Sequence, residues 1–204
     1  MLNLIKKDLM ITKSYMMKVL AGIIFSIFIF YNIDKQNMFV YCMYVSVYII
    51  ITTSFTYGEI SKEDYILNSL PIKKNQVVWA KYISVILYFA FTLIVIYIIA
   101  FIAYILNFRN IIGFPTIKTV IYSLIVILVS TGLQLPIYFK FGYNRGRIIA
   151  MIIYFSIFAV IYKNSEYNMV NSNIVYETLG ILSIILFVIS IFLSMKIYSS
   201  KEII

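Results

Sequence analysis

The chain of 204 residues has no histidine, a single cysteine, three prolines and only eight acidic residues. Without histidine it lacks the usual general base and the commonest metal ligand. Cys42 stands alone in an apolar run, so no intrachain disulfide forms, and a small buried core residue is its plainest reading. There is no Ser-His-Asp set and no HExxH, which leaves an intramembrane enzyme without its groups. No GxxxxGK[ST] loop occurs, so this chain does not bind ATP through a P-loop. The cores of its long apolar runs hold no Asp, Glu, Lys, Arg or His. Ion-coupled carriers keep such groups at mid-membrane despite their cost, so this absence disfavours a secondary transporter.

What is present is apolar. Hydrophobic residues make up 63% of the chain and charged ones 12%, with a mean hydropathy of +0.96. A soluble domain of this length cannot bury that much apolar surface, so lipid is the expected solvent. Six runs stand out, at about 15–33, 38–57, 77–107, 117–138, 147–162 and 176–197. They are apolar all round, as in "VILYFAFTLIVIYIIAFIAYIL", and lack the alternation of a barrel strand. Helices are the remaining way to satisfy the backbone in lipid. The expectation is an all-α polytopic membrane protein, residues 1–204 forming one transmembrane domain of six helices.

The net charge of +9 is distributed unevenly. Thirteen of the 17 Lys and Arg residues lie in the N-terminal segment, the second joint, the fourth joint and the tail. That bias places both termini and these joints in the cytoplasm. Because the basic residues sit at the ends of apolar runs, no nucleic-acid partner is expected. The basic start is not read as a signal peptide, because "YNIDKQ" after the first run has no small-residue cleavage site. Residues 1–18 place Asn3, Lys7, Ser14 and Lys18 at helical spacing, offset from Leu2, Ile5, Leu9 and Met16. An interfacial helix on the inner leaflet is expected there.

Polar residues inside the runs are mild. Tyr41, Tyr44, Tyr48, Thr52 and Phe55 share one face of the second run. Tyr154 and Phe158 form a smaller stripe on the fifth. Two readings stand side by side: helix packing with hydroxyls bonded across the contact, or an aromatic wall facing a conduit or a second subunit. In "STGLQLP", Pro136 is expected to kink or end the fourth helix, and Gln134 to face protein or water rather than lipid.

One joint is long and charged: "GEISKEDYILNSLPIKKNQVVWAKY", 58–82. Ser61 is placed to cap a short helix, with Asp64 three residues on. That helix, 59–71, runs about two turns before Pro71 forces Leu70 out of helical geometry. Asn75 is placed to cap the third span, with Trp79 and Lys81 at the interface. The short helix would expose Tyr65, Ile66 and Leu67 among charges. A structured joint of this length suggests a docking element for a cytoplasmic partner; the bland alternative is a solvated loop.

This joint resembles the segment after the second span in ABC-2-type transporter permeases. The family's acidic residue, "SLP" turn, basic pair and lysine have their matches in Glu59, Ser69-Leu70-Pro71, Lys73 with Lys74, and Lys81. "LIKKDL" (4–9) looks like the family's amphipathic N-terminal segment, and "PIYFKFGYNRGRIIAMI" (136–152) like its joint before span five. The compact build looks most like the bacterial permeases that export phenol-soluble-modulin-type amphipathic peptides. The resemblance implies a plasma-membrane exporter subunit that hydrolyses nothing itself and moves amphipathic peptides or lipid-like compounds. It further implies two ATP-binding subunits that hold ATP and Mg, and a second permease, identical or homologous. Glu59, Glu63, Asp64, Tyr65, Leu67, Leu70 and Pro71 would then form the coupling element. Tyr41, Tyr44, Tyr48, Thr52, Tyr154 and Phe158 would face the conduit or dimer axis, with Arg145 and Arg147 anchoring the inner surface. The rival reading is a non-transporting assembly or immunity factor that acts by helix packing.

Overall fold

The computed structural model describes residues 2–14, 16–33, 37–69, 72–106, 113–166 and 173–200. Among them every regular element is a helix: α1 (Leu2–Ser14), α2 (Met16–Ile33), α3 (Met38–Ile60), α4 (Glu63–Ser69), α5 (Lys74–Ile105), α6 (Ile117–Glu166) and α7 (Asn173–Ser200). Four of these, α3, α5, α6 and α7, contain segments long and apolar enough to cross a membrane. In α2 the apolar helical part is shorter, Val19–Tyr31.

α6 has 50 residues. A straight helix of that length would extend about 75 Å, more than twice the hydrocarbon thickness. It is not straight. Gly142 leaves helical geometry at φ 72 and ψ 171, dividing α6 into arms 117–141 and 143–166. Only glycine adopts that region at little cost. The break expected at Pro136 is therefore displaced by six residues.

Pro136 stays inside the helix because its missing hydrogen bond is replaced. A proline at 136 leaves the carbonyl of Gly132 without its backbone donor. The Ser190 hydroxyl of α7 donates to that carbonyl at 2.6 Å. Gly132 also admits α7 at close range, since a Cβ there would lie 2.7 Å from Leu186 Cδ2. Tyr82 of α5 bonds Ser190 at 2.5 Å and Ser194 at 2.8 Å. Three helices are thus joined by hydroxyls where lipid supplies no competing donors. Gln134 is buried in the protein, as expected of a costly amide, but its Nε2 has no partner among the described residues.

α3 is the central helix, packed against α2, α5 and α6, while α7 closes the bundle against α5 and α6. One end of the bundle gathers residues of the 58–82 joint, the α6 elbow and the end of α7. Lys74 reaches the Ser199 carbonyl, Glu59 meets Asn144, and Phe139 packs on Tyr198. At the far end Phe30 stacks on Tyr41, and Tyr97 bonds the Pro115 carbonyl.

Two expected caps are not formed. Ser61 closes α3 rather than opening α4: its hydroxyl returns to the Tyr57 carbonyl at 2.7 Å. The turn is made by Lys62, at φ 51, whose carbonyl accepts the first α4 amides from Tyr65 and Ile66. α5 is capped by Lys73 in extended geometry, and Asn75 lies inside the helix. In each case the turn between helices falls one or two residues from the best capping side chain.

Candidate functional site

The 58–82 joint folds as a helical knob on the basic end of the bundle. Its seven-residue helix, α4, turns back on α3 so tightly that a Cβ at Gly58 would lie 2.5 Å from Glu63 Oε2. Leu67 is turned inward and joins the core, contrary to the exposure expected of it. Tyr65 and Ile66 face out, each more than half exposed, beside exposed Ile60. A helix this short has one apolar side to bury, and Leu67 occupies it. The Asp64 side chain, Leu70 and Pro71 lie outside the described residues.

Two carboxylates tie this knob to different parts of the bundle. Glu63 is bonded by Lys7 of α1 and lies 3.9 Å from Lys81 of α5. Lys81 does not snorkel to the interface. It is 8% exposed, with its ammonium 2.9 Å from Asp8, 3.1 Å from Ser54 and 5.0 Å from the centre of the Phe55 ring. Asp8, 1% exposed, also meets Lys7 at 3.5 Å. Two anions and two cations therefore neutralise one another, as buried charges must.

Glu59 points the other way. Its carboxylate accepts the Asn144 backbone amide at 2.8 Å and the Asn144 side-chain amide at 2.6 Å. These bonds cap the first turn of the second α6 arm, where free amides and the helix dipole favour an anion. Glu63, at the start of α4, is thus bonded to α1 and near α5, and Glu59, at the end of α3, is bonded to the Gly142 elbow. Arg145 and Arg147 are exposed just beyond that elbow.

The tyrosine face of α3 meets the chain's own α6. Tyr44 and Tyr48 stack on Tyr154, with ring centres 4.7 and 4.0 Å apart, and Tyr41 lies 5.3 Å from Phe158. Tyr44 also donates to the Tyr154 carbonyl at 3.2 Å. The Thr52 hydroxyl returns to carbonyls of its own helix. This is the geometry of the packing alternative.

No motif marks Asp8, although the sequence carries a signal for it. It is the lone acid among lysines in 1–18, and helical spacing puts it on one face with Leu4 and Ile5. An acid on an apolar face needs a buried cation. Asn144 offered no such signal.

The family described as "ABC-2 family transporter protein" matches residues 3–199. The chain belongs to that family. It is the membrane permease of an ABC transporter, a multi-pass membrane protein that associates with an ATP-binding subunit. No curated protein and no solved structure matches it.

Proposed function

We propose that the permease is an exporter that carries amphipathic peptides or lipid-like compounds out across a bacterial plasma membrane, driven through α4 by its ATP-binding partner. In this reading α2, α3, α5, the two α6 arms and α7 make six spans with both termini inside. α1 lies along the inner leaflet, and the functional unit pairs two permeases with two ATP-binding subunits. The observation that carries the reading is the wiring of the α3–α4 junction. Glu59 and Glu63 are four residues apart and bond separate helices, while Tyr65 and Ile66 stand exposed just after them on α4. A knob that leads both ways into the bundle is suited to receive a push.

The bias of basic residues toward this end supports a cytoplasmic placement. Acid-free span cores support an external energy source. Direction and cargo rest on the resemblance in build. The permease–ATPase complex in inverted vesicles should accumulate amphipathic peptide only with ATP. Accumulation without nucleotide, or ATP turnover that no peptide or lipid-like cargo stimulates, would sink the export reading.

A further inference from the structure

Beside the knob lies a cavity of about 280 Å³, and we infer that it is a binding site for a small organic ammonium group. Its walls come from the end of α3, the turn at Lys62 with the start of α4, the start of α5, the α6 elbow and the end of α7. The lining is aromatic: Phe55, Tyr138, Phe139, Tyr143 and Tyr198 all contribute. The rings contact one another, with Phe55 4.8 Å from Tyr138, Tyr138 5.8 Å from Tyr143, and Phe139 5.4 Å from Tyr198.

Size narrows the occupant. The volume is at the low end for ligand pockets, which run from about 300 Å³ upward. A helix with its side chains is about 10 Å across and does not enter. One head group does.

Charge selects its sign. Lys81 and Lys7 are already matched by Asp8 and Glu63. Glu59, on the cavity wall, has no ion pair among the described residues; it is held by the neutral Asn144. Lys62 also lines the cavity, and it and Glu59 are both exposed and screened by water. The difference is that Asn144 fixes Glu59 on the wall, whereas among the described residues no bond holds the Lys62 ammonium there. Aromatic faces with one fixed carboxylate form the chemistry that recognises alkylated ammonium ions. The same cavity already shows it once, in the Lys81 ammonium against Phe55. Tyr138 adds a buried hydroxyl with no hydrogen-bond partner among the described residues.

A head group held here would touch both Glu59 and the root of α4. It would bear on the elbow clamp as well as on the knob, whichever cargo the permease moves. The ammonium has two sources of the same chemistry, a free solute or a choline-type lipid head group.

The test is equilibrium binding of radiolabelled choline to the full chain in phosphatidylglycerol nanodiscs, with no nucleotide. Saturable binding is expected, and 3,3-dimethylbutanol, the uncharged isostere, should compete at least about tenfold more weakly. Glu59→Gln and Tyr143→Leu should each weaken binding about tenfold, with thermal unfolding checking that each variant is folded. Loss of choline binding in phosphatidylcholine nanodiscs assigns the site to a lipid head group; retention assigns it to a free solute. No saturable binding, equal competition by the neutral isostere, or unchanged binding in the folded variants overturns the proposal. Export plays no part in this readout, so the site and the transport reading fail separately.

Discussion

Lys81 and Asp8 meet at 2.9 Å with both side chains almost wholly buried, joining α5 to the N-terminal helix α1. Removing either partner leaves the other buried charge with only its longer ion contact, Lys81 with Glu63 at 3.9 Å or Asp8 with Lys7 at 3.5 Å. Asp8→Asn or Lys81→Met should therefore cost about 3–5 kcal/mol. The double change Asp8→Leu with Lys81→Met should recover most of that, because a packed apolar pair avoids desolvation altogether. Thermal unfolding of the three variants in detergent checks it. A double variant as unstable as the singles would mean that the pair supplies net stability.

The helical plan was legible because lipid leaves one solution for a long run that is apolar all round. Charge at the helix ends was legible as a bias. Its pairing was not: Lys81 reads locally as a snorkelling interface residue, and only the fold brings Asp8 and Ser54 to it. Leu67 follows Tyr65 and Ile66 in one short apolar run, so which of the three turns inward depends on how α4 folds back at Gly58. The continuity of α6 through Pro136 is hidden from the local sequence for a related reason. Proline breaks a helix when the freed carbonyl has no other donor, and that donor is Ser190, 54 positions away and on another helix. Local sequence carries local geometry. Partners distant in the chain are a tertiary property.

Gly142 tests the elbow. Its φ of 72 and ψ of 171 lie in a region essentially reserved for glycine. Gly142→Ala should destabilise the fold by about 1–3 kcal/mol, or straighten α6 locally. The nearest described atoms to a new Cβ are the Glu59 oxygens at 3.9 and 4.0 Å, so backbone strain rather than crowding is the cause. Unfolding free energies for Gly142→Ala and Asn144→Ala measure the elbow and its clamp separately. A Gly142→Ala variant as stable as the parent would show that the elbow is not constrained.

Exposed residues of the knob should matter to partnership and not to folding. Tyr65→Asp and Ile66→Asp change side chains that are 56% and 54% exposed. Their effect on stability should stay within about 0.5 kcal/mol. Co-purification with the ATP-binding subunit should nevertheless fall at least about tenfold for the pair, the cost of placing charge in an apolar contact. Leu67→Asp should instead unfold the knob, since Leu67 is core. Undiminished recovery of the ATPase with the double variant would move the docking surface elsewhere.

The bond from Ser190 to the Gly132 carbonyl gives the sharpest test of how the bundle tolerates Pro136. The Ser190 proton is committed to that carbonyl, so Tyr82 must donate to Ser190, and Ser194 in turn to Tyr82. Ser190→Ala removes the middle of this chain and strands a buried carbonyl, at an expected cost of about 1–3 kcal/mol. In a Pro136→Ala background, residue 136 regains an amide that bonds Gly132 directly. The same Ser190→Ala change should then cost less, by about 1 kcal/mol or more, giving a measurable coupling in a double-mutant cycle. Tyr82→Phe should show no such dependence on residue 136 beyond about 0.5 kcal/mol, because its link to the carbonyl runs only through Ser190. If Ser190→Ala costs the same with proline or alanine at 136, the hydroxyl is not the substitute donor, and the continuity of the first α6 arm through Pro136 needs another cause.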